Sequence, residues 1–302
     1  MSAYSVSNRS IFERLGLTIS RPLPPAIWTA LGTLAVPLWA TWPTLAHLGS
    51  EMPVFEMLAI AFLVGYFVLL FCEPVTEVVP EQSRGDVLAA VACAFGLLGS
   101  NALFVIAVAY IPPAQANVLS YLWPVMVVGI GAALGLFQFR LLHGVSLALG
   151  FTGIIVIAGV GSTVLSPVGI ALGLLSGLSW ASFTVFRIWQ GAKARPVLAR
   201  GCLISAGLSL ALHLSLEPLH IPTLRALLAA VGVGILPLAL ANLCWDLGVR
   251  RGDSRMLATM AYGTPLVGLV ILAIFGLTVL TDQLLIGAAL VVLAGVLTSK
   301  TQ

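Results

Sequence analysis

Apolar runs of about 17 to 25 residues follow one another along almost the whole chain. They fall at about 25–46, 54–73, 86–109, 113–136, 141–161, 167–190, 197–215, 223–248, 255–279 and 282–299. At helical rise, a run of that length crosses the roughly 30 Å hydrocarbon core of a bilayer. Charged residues make up 8% of the chain, against about 25% in soluble domains, so these runs cannot be the buried helices of a water-soluble core. A spanning β-barrel would need segments of about ten residues with alternating polarity, and the sequence carries none. The expected fold class is an all-α integral membrane protein with ten transmembrane helices.

The distribution of positive charge predicts the orientation, because short loops retain Lys and Arg on the cytoplasmic side. With both termini cytoplasmic, thirteen of the fourteen Lys and Arg residues fall inside, and Arg225 alone falls outside. Residues 1–24, with Arg9, Arg14 and Arg21 ahead of a proline-rich stretch, read as a cytoplasmic N-terminal tail or an interfacial helix. The first apolar run is long enough to stay as an anchor, which argues against a secretory signal. Cys72, Cys93, Cys202 and Cys244 show no CxxC or Cys/His ligand spacing and are expected as packing residues. His47, His213 and His220 near predicted outer loops, and His143 at an inner one, are expected on solvated surface. No HExxH, phosphate loop or paired carboxylate cluster is present, so no enzyme, cofactor or metal is expected. The net charge of +3 is too small to suggest nucleic acid.

The chain also repeats itself. NALFVIAVAYIPPAQANVLSYLWPVMVVGIGAALG, from Asn101, aligns without a gap onto NLCWDLGVRRGDSRMLATMAYGTPLVGLVILAIFG, from Asn242. Asn101, Tyr121, Pro124 and Gly135 thereby fall on Asn242, Tyr262, Pro265 and Gly276, an offset of 141 residues (242 − 101). A separate stretch, GTLAVPLWA from Gly32, falls on GLLSGLSWA from Gly173 at the same offset and sets Trp39 on Trp180. Two copies of a five-helix unit are therefore expected, at 25–161 and 167–299. Five is odd, so the second copy enters from the opposite side of the membrane. This is an inverted repeat, the arrangement in which secondary transporters alternate access around a site near the bilayer midplane.

With YIPPAQANVLSYLWPVMVV and LALGFTGIIVIAGV, the chain resembles the drug/metabolite transporter superfamily, specifically its EamA-type domain in duplicate, over nearly all its length from the first span onward. Within that superfamily, Tyr121, Leu122, Trp123 and Pro124 resemble the YLWP stretch of the YddG-type exporters of aromatic amino acids. SWASFTVFRIWQGAKAR at the sixth span and MAYGTPLVGLVILAIFG at the ninth resemble the matching segments. Two departures stand out. GLFQFRLLHG, from Gly135, lacks the Gly-Glu pair that many EamA domains carry after the fourth span, and LLGSNALF in the third span holds Ser100 and Asn101 but no carboxylate. The resemblance implies a secondary transporter of the bacterial cytoplasmic (inner) membrane that exports small amphipathic metabolites, with aromatic or other apolar amino acids first. Export of other metabolites or drugs, or a passive channel, are the alternatives. The partners implied are a small-molecule substrate and the lipid bilayer.

Proline at 124 leaves the Ser120 carbonyl without its helical partner, so a bend is expected there and at the matched Pro265. Asn117, Ser120, Tyr121 and Pro124 lie within about a hundred degrees on a helical wheel, forming one polar stripe expected to face a central cavity with Tyr262. Trp123 has two readings. The resemblance places it in the site, whereas two residues from Tyr121 means about 200° of rotation on a regular helix. Trp39 with Trp42, and Trp180 with Phe183, share helical faces and are candidates to line the substrate path. Asn101 with Phe104, and Asn242 with Trp245, make similar polar and aromatic faces. Asp246 is a candidate for proton coupling, although Arg250 four residues on suits an ordinary ion pair.

Overall fold

The structure, a computed structural model, describes residues 24–72, 84–136, 141–158, 166–190, 197–252 and 254–299. Residues 1–23 of the expected tail (1–24) lie outside the described residues, and so do the side chains of Pro124, His143, Asp246 and Arg250. Among the described residues there are helices and no strand. Val54–Cys72, Val87–Val108, Pro113–Ala133, Pro167–Phe186, Leu198–Leu216 and Leu224–Trp245 are long and apolar enough to cross a membrane. Phe71, Phe95, Phe151 and Trp189 project from the outer surface, and an apolar face of that kind belongs against lipid.

Prolines decide which runs are continuous. The first run is three short helices, α1 (Pro25–Thr33), α2 (Ala35–Ala40) and α3 (Trp42–Leu48), with breaks at Leu34 and Thr41. Pro37 and Pro43 each lack an N–H and crowd the carbonyl four residues back, which interrupts the ladder. α4 (Val54–Cys72) and α5 (Arg84–Val108) are unbroken. α6 (Pro113–Ser120) and α7 (Trp123–Ala133) part at Tyr121 and Leu122 ahead of Pro124, and α8 (Leu141–Ala158) follows. Beyond it, α9 (Pro167–Gln190) and α10 (Leu198–Leu216) are again unbroken. α11 (Leu224–Val233) leads through a π-helical stretch, Gly234–Leu240, with Pro237 inside it, into α12 (Ala241–Arg251). α13 (Ser254–Ala261) and α14 (Thr264–Ile274) part at Tyr262 and Gly263 ahead of Pro265, and α15 (Asp282–Ser299) closes the series.

One helix ending occurs twice, 141 residues apart. Gly135 and Gly276 adopt φ of 71° and 69°, a region that a Cβ disfavours. The following N–H groups, of Leu136 and Leu277, reach back to Gly131 and Leu272 carbonyls at 2.8 Å in both cases. This is the glycine-terminated Schellman closure.

The bundle rests on four main pairings: α5 with α9, α8 with α15, α4 with α10, and α1 with α12. Without water to drive helices together, close approach and polar contacts carry association in lipid. A side chain at Gly248 would lie 2.6 Å from the Gly32 Cα, so α1 and α12 touch backbone to backbone. The Arg251 guanidinium lies 4.6 Å from the centre of the Trp28 ring at the same interface. Between α5 and α9, Ser176 donates to the Ser100 carbonyl at 2.8 Å.

His213 departs from the solvated position expected of it. It is buried, with Nδ1 3.0 Å from Glu217 Oε2. The cause is Glu217, whose carboxylate accepts the Phe55 N–H at 3.0 Å and the Glu56 N–H at 3.2 Å. A carboxylate at a helix N-terminus meets unpaired N–H groups and the positive end of the dipole, and His213 holds it there.

Candidate functional site

The helix breaks converge on one cavity of about 790 Å³, its open mouth included. Trp39 and Trp42 reach it from α2 and α3, and Leu97, Ser100, Asn101 and Phe104 from α5. Ser120, Tyr121 and Trp123 come from the α6/α7 break, and Ser176, Gly177 and Trp180 from α9. Pro237, Leu238 and Asn242 come from the π-helical stretch and α12, and Ala261 and Thr264 from either side of the α13/α14 break. Among the described residues, no charged side chain stands in this wall. Volume and lining fit a small-molecule site: apolar and aromatic surface with a few placed polar groups.

Local backbone geometry explains how Tyr121 and Trp123 reach one cavity. Tyr121 has ψ of 6° and Leu122 of −4°, and the Leu122 N–H bonds to Leu119, three residues back, at 3.2 Å. That tight turn replaces the regular 100° step, and both side chains end on the wall.

The rings are organised in pairs. Trp42 and Phe104 approach to 5.3 Å between centroids at 48°, and Trp39 and Trp245 to 5.2 Å at 53°. Trp180 and Phe183, on one helix, lie 5.6 Å apart at 54°. Tilted pairs at this spacing suit the ring quadrupoles.

Several sequence-selected residues sit outside the lining. Phe183 is nearly buried against Gly96 of α5, where an added Cβ would approach it at 2.5 Å. Trp245 stands behind Trp39. The ring of Tyr262 packs on Gly295 of α15, a recess a side chain at 295 would fill. Asn117 is fully buried and donates from Nδ2 to the Pro265 carbonyl at 3.3 Å, joining α6 to α14. Its place in the polar stripe thus turns it toward a backbone carbonyl at the start of a neighbouring helix. Ser176, Pro237 and Leu238 line the cavity without having been singled out in the sequence. Pro237 carried a legible signal, a proline inside an apolar run like those at 124 and 265. Ser176, one small residue among many in GLLSGLSWA, did not.

Residues 26–159 match the EamA-like transporter family. The aromatic amino acid exporter YddG of Ancylobacter novellus is 29% identical over 269 residues, covering 87% of this chain and 94% of that protein. A solved crystal structure superposes with a TM-score of 0.69 at 26% identity, covering 91% of this chain and 98% of the other.

Proposed function

We propose, from the match of residues 26–159 to the EamA-like transporter family, that the chain is a secondary transporter exporting aromatic amino acids and related apolar, amphipathic metabolites. The observation that carries the substrate class is the neutral cavity walled by four indoles, a phenol and two amides. Aromatic rings stack on such walls, and amides and hydroxyls meet the polar end of an amino acid. Trp39, Trp42, Trp123, Trp180, Tyr121, Ser120, Asn101 and Asn242 contact the substrate in this reading. Tyr262, Phe183, Trp245 and Asn117 stand behind them and hold the wall in place. The likeness to a protein named as an aromatic amino acid exporter supports the same class.

The working architecture in this reading is ten transmembrane helices in two inverted five-helix repeats, 25–161 and 167–299, with both termini cytoplasmic in a bacterial inner membrane. Support comes from features that recur 141 residues apart: the breaks at 121–122 and 262–263, the endings at Gly135 and Gly276, and the pairing of α5 with α9 echoed by α1 with α12. Alternating access is supported by one matched difference. Trp42 meets Phe104, whereas their counterparts Phe183 and Trp245 pair with Trp180 and Trp39 instead. Forming the second contact while breaking the first moves the opening across the membrane.

Proteoliposomes loaded with all twenty amino acids test the reading. Selective loss of Phe, Trp and Tyr, accelerated by the same amino acids outside, is the expected result. Flux linear in concentration and indifferent to outside substrate would establish a pore instead, and retention of every aromatic amino acid would remove the substrate class.

A further inference from the structure

The hydrogens of the cavity wall point to which end of the substrate is recognised. Asn101 Nδ2 donates to the Leu97 carbonyl at 2.7 Å and lies 3.4 Å from Ser100 Oγ. Asn242 Nδ2 donates to the Pro237 carbonyl at 3.2 Å and the Leu238 carbonyl at 2.9 Å. Turning either amide over would press its oxygen against carbonyl oxygens, so these contacts decide the orientation. Both amide nitrogens are engaged by their own helices. The two Oδ1 atoms accept no hydrogen bond among the described contacts.

The hydroxyls follow the same rule. Ser100 donates to Leu97 at 3.1 Å, Ser120 to Asn117 at 3.0 Å, Ser176 to Ser100 at 2.8 Å and Thr264 to Ala261 at 2.7 Å, each to a backbone carbonyl. The two amides and the serine and threonine hydroxyls of the wall therefore retain lone pairs, while their hydrogens are engaged by backbone carbonyls and by Ser100 Oγ. An ammonium group, with three donors and no acceptor, complements that surface, and indole faces attract a cation further. Among the described residues a carboxylate meets no cation on the wall, and the indole N–H groups and the Tyr121 hydroxyl are the side-chain donors left to it.

We infer that Asn101 and Asn242 receive the substrate's ammonium group on their Oδ1 atoms, so that a primary amine on an aromatic body is the required feature and the carboxylate is secondary. The inference deepens the proposed function and rests on its assignment of the cavity as the substrate site. The two amides lie 141 residues apart in the repeat, so an ammonium held between them meets one acceptor from each half. That arrangement suits a ligand that must be held equally in both access states.

The test is binding to the purified full-length protein in detergent, read by tryptophan fluorescence, of L-phenylalanine, phenethylamine and 3-phenylpropionate. Phenethylamine should bind and 3-phenylpropionate should bind at least about tenfold more weakly, the scale of a hydrogen bond to a charged group. Asn101→Val should weaken both amines about tenfold, while Asn101→Thr, of the same shape but keeping an acceptor that can donate back to Leu97, should restore most of the loss. Asn101 is the residue to change because Asn242 also holds the π-helical stretch. Phenethylamine binding without L-phenylalanine would leave the inference standing and remove the amino-acid reading. Equal binding of phenethylamine and 3-phenylpropionate, equal weakening in the Val and Thr variants, or binding by none of the three would overturn the inference.

Discussion

Two helix pairs occupy places matched by the 141-residue offset, α5 with α9 and the α11–α12 run with the α1–α3 run, and they are built differently. In the first pair both helices are continuous over 25 and 24 residues. In the second, one partner is cut at Leu34 and Thr41 and the other carries a π-helical stretch around Pro237. The residues responsible can be read position by position. Pro37, Pro43 and Pro237 stand where Leu178, Thr184 and Gly96 stand in the straight pair. The straight pair is also stitched, since Ser176 donates to the Ser100 carbonyl at 2.8 Å and Ser179 reaches the Gly96 carbonyl at 3.4 Å. The broken pair has Ala35 and Leu38 at those serine positions. One pair is thus continuous and bonded across by serines, and the other is divided into short segments at its prolines.

That contrast is open to attack from both sides. The largest effect is expected from moving a proline into the continuous pair. Gly96→Pro places a proline at the position matched to Pro237, in a helix interior, where it should cost about 3 kcal/mol or more. Loss of folded protein on size-exclusion chromatography is the expected outcome, and a well-folded, active variant would show that straightness of α5 is dispensable.

The converse change should act on function more than on fold. Pro237→Ala returns an N–H to the π-helical stretch, and turnover in proteoliposomes should fall about tenfold, equivalent to about 1.4 kcal/mol on the barrier, with thermal stability retained. Unchanged turnover would mean that the proline at 237 takes no part in transport.

The smallest effect should come from unpicking one stitch. Ser176→Ala removes an interhelical hydrogen bond of a kind worth about 0.6 kcal/mol in membranes. A fall in unfolding midpoint of a degree or two, with turnover kept, is expected. A large loss of transport would instead give Ser176 a role in the cavity beyond joining α5 to α9.

How much of this was legible in the sequence depended on how local the cause was. Proline acts through its own backbone and the carbonyl four residues back, so the breaks ahead of Pro124 and Pro265 were foreseeable from single residues. Long apolar runs almost without charge have few solutions, which made a helical membrane protein readable from the chain alone. The offset of 141 linked Asn101 to Asn242 and Trp39 to Trp180 without any coordinates, and all four line the cavity.

What the sequence left open depended on neighbours that are distant along the chain. Tyr121 and Tyr262 are equivalent by alignment, yet Tyr121 lines the cavity and Tyr262 packs on Gly295. The position matched to Gly295 is Ile154, so that recess against the last helix belongs to one half. Asn117 belongs to a polar stripe on the wheel, but it donates to the Pro265 carbonyl at the start of another helix. Trp123 could not be placed from the wheel because the wheel assumes a uniform step, and the turn at Tyr121 and Leu122 abolishes it. The sequence by itself determined the apolar helical character, the interruptions ahead of Pro124 and Pro265, and the matched pairs of aromatic and amide residues, because those follow from backbone chemistry and periodicity. Only the tertiary structure decided which of the matched residues meet the cavity, because that depends on the space left by a side chain, or a glycine, on a helix far away in the chain.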